Sequence, residues 1–235
     1  MTDRIPLRFF LLALFVLVLI SGPLVVRAQE KLIALPPPLL GGNTSVEKAI
    51  ASWRTERTFP DTPLTLAQVG QILWAANGKI KTDATTSATA RVIPSAWKAY
   101  PLDVCLIVGD KTVTDLPAGI YRYDPEKHAL AVIEKGDMRT ALSQAAFGQK
   151  WLLKVPIAVV ICGDFGRIIA EKATPEQWTN WIRSEAGMAS QNVVLQSRAL
   201  DLGGNTVGAV KEADLAKVLK VKENVKPLLV LGLGK

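Results

Sequence analysis

The chain has 235 residues, 49% of them hydrophobic, with 28 Lys and Arg against 21 Asp and Glu and a formal net charge of +7. That length is one domain large enough to bury a core, and the mild basicity suits an anionic ligand. No Lys/Arg block or aromatic–basic interleave speaks for a nucleic acid, and one histidine with two cysteines gives no metal-ligand spacing.

Residues 1–28 read as a secretory signal. Arg4 and Arg8 form a basic start, Phe9 to Ile20 is an uncharged apolar run, and Ser21-Gly22-Pro23 breaks it before a cleavage site after Ala28. The competing reading is an uncleaved anchor, since Phe9 to Val26 is nearly long enough to span a membrane if Pro23 is tolerated. Residues 29–43 contain "LPPPLLGGN", an extended Pro/Gly-rich lead-in, and no folded element is expected before Thr44. The main domain then covers 44–235. Thr44-x-x-Glu47 reads as a capping box opening a helix through Trp53. Thr65-x-x-Gln68 is a second one, opening "LAQVGQILWAANG" with Gly78 as the stop.

Lys79 to Ala90 is small and polar, a loop. Asp103 to Val108 reads as a strand, and "GIYRYDPEKHALAVI" as a hairpin turning at Asp124–Lys127, which puts His128 on an inert surface. Met138 to Phe147 is helical, and Pro156 to Cys162 is a buried strand. Cys105 and Cys162 each lie in an apolar strand-like run; two buried thiols fit that setting better than a disulfide. Pro175 to Leu200 is a long helix ended by Gly203-Gly204. Asp214 to Leu219 is a short helix and Pro227 to Leu233 a last strand. Interspersed strands and helices give an α/β or α+β class, with helices covering a sheet.

Most familiar catalytic motifs are absent. There is no P-loop and no Gly-x-Ser-x-Gly elbow, and "GGNTVG" follows a helix rather than a strand. What remains is Arg54-Thr55-Glu56-Arg57, where two guanidiniums and the Thr55 hydroxyl can surround one oxyanion. The competing reading is a basic helix end whose side chains satisfy terminal carbonyls.

Several ordered segments together resemble the nitroreductase family. "SVEKAIASWRTERTFPDTPLTLAQVGQILWAANG" is similar to the family's opening. "ARVIPSAWKAYPLDVCLIV" looks like its Arg-x-x-Pro-Ser-Ala segment, and "LPAGIYRYDPEKHALAVI" like its hairpin. "SEAGMASQNVVLQSRALDLGGNTVGAV" resembles its long helix and the stretch after it. The likeness runs from about residue 32 to the C-terminus and extends to the subgroup near the thiazole- and oxazole-forming dehydrogenases, some of them exported.

The resemblance implies an α+β fold, a central mostly antiparallel sheet flanked by helices, in a homodimer that holds FMN between its subunits. It implies that Arg54, Thr55 and Arg57 hold the FMN phosphate and ribityl chain, and that Pro94, Ser95 and Ala96 pass along the ring edge. Glu185, Ala186 and Gly187 bring the long helix to the flavin, and Gly204 and Gly208 let the next segment approach it. Lys98 is either a cation near the ring's N1/O2 edge or a surface lysine. Trp97 stands where many members have a small residue, and it stacks on the flavin, closes the pocket or fills core. The implied activity is ping-pong electron transfer through FMN from a small-molecule donor to a small organic acceptor, in an extracytoplasmic compartment. The alternative is a flavin-free binding module with Trp97 in the cofactor cleft.

Overall fold

Leu102–Val108 (β4) and Ile157–Asp164 (β7) are near-continuous apolar runs because both are central strands covered on two faces. With side chains alternating along each strand, Val104, Leu106, Val159 and Ile161 enter one core layer; Cys105, Ile107, Val160 and Cys162 enter the other. The computed structural model describes residues 32–80, 90–169 and 171–235; the signal-peptide expectation for 1–28 and most of the 79–90 segment lie outside them.

The other strands are β1 (Leu32–Ala34), β2 (Lys79–Ile80), β3 (Ala90–Arg91), β5 (Gly119–Asp124), β6 (Ala129–Lys135), β8 (Gly203–Val207) and β9 (Val225–Gly234). Seven form one sheet in the order β1-β6-β5-β4-β7-β9-β8, with every neighbouring pair antiparallel. β2 and β3 form a separate two-stranded ladder at the ends of the segment expected to be a loop.

The helices are α1 (Val46–Ser52), α2 (Leu66–Asn77), α3 (Arg139–Ala145), α4 (Pro175–Ala199) and α5 (Glu212–Leu219). On one face of the sheet, α2 contributes Val69, Ile72 and Leu73, and α4 contributes Ile182, Ala186, Ala189 and Val193. On the other, α3 contributes Leu142 and Ala145, and α5 contributes Leu215 and Leu219. This helix–sheet–helix layering is the expected α+β class, an antiparallel sheet flanked by helices. No helix among the described residues is long and apolar enough to cross a membrane.

Four local expectations shift. The first helix is capped by Ser45, whose hydroxyl accepts from Lys48 N–H, rather than by Thr44. Structure begins before Thr44, because β1 pairs with β6. Gly203-Gly204 do not stop the long helix; it ends at Ala199, and the two glycines open β8. His128 is not inert surface. It is half-buried, with Tyr123 Oη 2.8 Å from Nδ1 and Pro36 O 2.9 Å from Nε2, so it pins the proline-rich lead-in to the hairpin.

Candidate cofactor-binding site

The segment after α1 is stitched onto the start of β8. Thr55 forms a parallel bridge with Gly204, and Glu56 N–H donates to Gly204 O at 2.8 Å. Glu56 points inward, where its carboxylate accepts from Arg198 Nη1 at 3.2 Å and lies over Gly203. With Glu56 turned in, alternation leaves Thr55 and Arg57 exposed on the other side. Arg57 makes no ion pair among the described residues. Arg54 is also exposed and donates from Nη1 to Ala51 O at 3.0 Å and Trp53 O at 2.6 Å. It therefore satisfies carbonyls at the helix end, the competing reading of this residue, while its remaining guanidinium donors stay open. Glu56 carried no family signal. Its anchoring role comes from a partner 142 residues away, beyond the reach of local pattern.

Ser95, Ala96 and Glu185 meet. Glu185 Oε1 accepts from the Ser95 hydroxyl at 2.9 Å and from Ala96 N–H at 3.0 Å. The same Ser95 oxygen accepts from Tyr100 N–H at 2.9 Å, closing a tight loop. Within that loop Trp97, Lys98 and Tyr100 adopt φ of 55°, 57° and 45°, a left-handed backbone that costs energy in residues with side chains. Pro94 and Lys98 are exposed. Trp97 is 58% exposed, with the Lys172 ammonium 5.2 Å from its ring centroid. It fills neither core nor cleft within this chain.

Glu185 is 2% exposed, and its second oxygen, Oε2, is buried without a partner among the described residues. Burial raises its pKa, opposed by the Ala96 N–H and Ser95 hydroxyl bonds.

Two adjacent residues of α4 have different surroundings. Ala186 lines a cavity of about 350 Å³ together with Arg183, Gly208, Val210, Leu228 and Leu229. Gly187 faces open space: a Cβ built there meets nothing within 4 Å. Gly208 is nearly as open, since a Cβ would meet only Leu229 at 3.7 Å. Gly204 is different. Its Cβ position is filled by the Gly232 carbonyl of the neighbouring strand and by the Leu233 side chain, so the β8–β9 pairing already explains that glycine. The expected residues therefore fall into three groups: Arg54, Thr55 and Arg57 by Gly204; Ser95 and Ala96 on Glu185; Ala186 and Gly208 at the cavity.

Comparison with known proteins agrees with the fold. The chain matches the "Nitroreductase family" over residues 50–235. It is 30% identical over 190 residues to "Putative nitroreductase MJ1384" of Methanocaldococcus jannaschii, which covers 81% of this chain and 90% of the relative. A crystal structure of a Ralstonia eutropha JMP134 protein with the same description superposes with a TM-score of 0.73 at 27% identity, over 89% of this chain and 91% of that one. The Vibrio harveyi NADPH:FMN oxidoreductase complexed with NAD+ shares the fold at a TM-score of 0.55 and 20% identity, over 80% of this chain and 67% of that one. The family match over most of the chain, together with this degree of identity and coverage, shows that the chain belongs to the nitroreductase family.

Proposed function

We propose that this chain is an exported FMN-dependent oxidoreductase that works as a homodimer and passes electrons from a small-molecule donor to a small organic acceptor. One spatial relationship carries the reading. The Arg54–Arg57 segment is bridged to Gly204 at one end of β8, and the cavity bordered by Ala186 and Gly208 opens just past the other end. Gly208 lies four residues after Gly204, about 13 Å along the strand at the usual rise. That spacing suits a nucleotide whose phosphate and ring are joined by a ribityl chain.

The residues fit such a group chemically. Arg57 and the open donors of Arg54 would hold the phosphate, with the Thr55 hydroxyl adding a directed bond. Gly187 leaves open space beside α4 that any side chain there would enter. Bound FMN would supply the electron-transfer chemistry at its ring. The protein's part is to bind, orient and shield. Ser95 and Ala96 are held in place by Glu185, Val210, Leu228 and Leu229 give the cavity apolar walls, and Lys98 brings a cation on the adjoining turn. The Vibrio harveyi neighbour, an NADPH:FMN oxidoreductase by name, is in keeping with a flavin here.

The homodimer reading draws on a groove of about 790 Å³ between α1, α2 and α4, beside which Leu39, Leu40, Val46 and Ile50 are exposed. So much uncovered apolar surface favours a partner. The export reading rests on the sequence of residues 1–28 and implies an electron donor other than cytosolic nicotinamide nucleotides.

The test is direct. Protein purified from the exported fraction should be yellow and release FMN on denaturation. Arg54→Ala combined with Arg57→Ala should bleach it and melt close to flavin-free wild type, since both side chains are exposed. A colourless, folded wild-type protein that rejects added FMN would instead establish the flavin-free binding module.

A further inference from the structure

Two side-chain polar atoms among the described residues are buried without a partner, Arg91 Nε and Glu185 Oε2. Arg91 is otherwise engaged, donating to Asn77 O at 3.2 Å and pairing with Glu126 at 2.8 Å. Glu185 is not so well served. Both of its donors, Ser95 Oγ–H and Ala96 N–H, converge on Oε1. Nothing reaches Oε2, and a bare buried carboxyl oxygen is costly in either protonation state. Glu185 itself lines neither cavity, but its neighbours on α4 border free space. The next residue, Ala186, lines the cavity, and Gly187 after it faces open space.

We propose that Glu185 is a positioning residue of the flavin site: Oε1 fastens the 95–100 turn to α4, and a protonated Oε2 donates a hydrogen bond to the bound ring. This rests on the flavin reading above. The fastening follows from the bond chain Tyr100 N–H to Ser95 Oγ, Ser95 Oγ–H to Glu185 Oε1 and Ala96 N–H to Glu185 Oε1. One carboxyl thus holds a turn in which three side-chain-bearing residues have positive φ, a conformation that persists only when its surroundings enforce it. The proton belongs on Oε2 because Oε1 already accepts twice. Burial favours the neutral acid, and the other ionisable groups of the two packed elements, Lys98 and Tyr100 on the turn and Glu176, Arg183 and Arg198 on α4, make no bond to the carboxyl. The polar edge of an oxidised isoalloxazine carries acceptors at N1, O2, O4 and N5 against one donor at N3. A protein donor is its natural complement.

Three proteins test this: wild type, Glu185→Gln and Glu185→Ala. Two properties are read: amide hydrogen exchange at Ala96 and Tyr100 without flavin, and FMN affinity with the visible spectrum of the bound ring. Gln keeps an acceptor for the two turn bonds and places an N–H donor where Oε2–H stood. E185Q should therefore stay within about threefold of wild type in both properties. E185A should exchange those amides at least about tenfold faster, bind FMN about tenfold or more weakly and shift the flavin band. Should E185A fail to fold, Ser95→Ala replaces it: it removes one bond to Oε1 and spares Oε2, so exchange should rise while affinity falls less than the turn loosens. E185Q binding FMN about tenfold or more weakly than wild type, with its amides still protected, overturns the donor role. E185A behaving as wild type in both readouts overturns the whole inference. If wild type itself rejects FMN, the flavin reading falls and the donor role with it, while amide exchange still decides the fastening.

Discussion

Glu56 and Arg198 form a 3.2 Å ion pair that ties the segment after the first helix to the end of the longest one. The room for it exists because residue 203 is glycine, where a Cβ would collide with the Glu56 carboxylate. Gly203→Ala should therefore displace Glu56, break the pair and destabilise the fold by up to about 1 kcal/mol, the worth of a partly exposed pair, since the flexible Glu56 side chain can swing away. With Glu56→Ala already present, the same glycine substitution should cost clearly less. Urea unfolding of the single and double variants gives the coupling; strictly additive effects would show that Gly203 and Glu56 do not share that space.

Gly187 and Gly204 should respond in opposite ways to one added methyl. Gly187 lies inside a helix with nothing near its Cβ position, so alanine there should leave stability equal or raise it by up to about 1 kcal/mol. Its cost should fall on flavin content, because the methyl enters the space assigned to the cofactor. Gly204→Ala pushes against the Gly232 carbonyl across the β8–β9 ladder and should cost about 1–3 kcal/mol. Melting temperature and FMN per subunit, measured on both, separate the effects. G187A protein that loads FMN normally would remove that glycine from the cofactor site.

Much of this architecture was legible in the chain. The Thr65–Gln68 capping box, the hairpin turning at Asp124–Lys127 and the long helix from Pro175 all rest on signals within a few residues, and all appear where the pattern puts them. What stayed hidden depends on distant partners. Gly203-Gly204 read as a helix stop because paired glycines ordinarily break structure; only the Leu233-Gly234 backbone opposite turns them into strand. β1 is three residues long and becomes a strand only against β6. The contact of Ser95 with Glu185 spans 90 positions, so neither residue announces the other. Family likeness pointed to both, without saying that they touch.

Cys105 and Cys162 should remain thiols even in an oxidising compartment. Cys105 sits opposite Val160, and Cys162 opposite Asp103, so the cysteines are diagonal neighbours on adjacent strands. Diagonal positions lie about 7–8 Å apart, beyond the usual Cα range of a disulfide. Both are fully buried, and the hydrogen bond to Cys105, with burial, pushes the Cys162 thiol well up. Native protein should be inert to Ellman's reagent. Protein unfolded without reductant should release the signal of both thiols; a silent unfolded sample would mean that they had paired.

His128 should make stability depend on mildly acidic pH. Pro36 O can only accept, so Nε2 carries the ring proton and Nδ1 accepts from the Tyr123 hydroxyl. Burial lowers the His128 pKa, opposed by the Pro36 bond. The unfolded chain takes up a proton near the ordinary value of about 6.5, while the folded protein resists it until lower pH. The unfolded state then binds more protons throughout that interval, so stability is full above about 6.5, falls as pH drops below it and levels off under the folded pKa. A charged ring would also put a proton on Nδ1, facing the Tyr123 hydroxyl that now donates to it. His128→Asn suits the positive φ of 47° at this position and removes the titrating ring. Its stability should be lower at neutral pH, through loss of the bonds to Pro36 and Tyr123, and flatter between pH 7.5 and 5.5. Urea midpoints across that range decide it; parallel profiles for the two proteins would assign the pH response to another group.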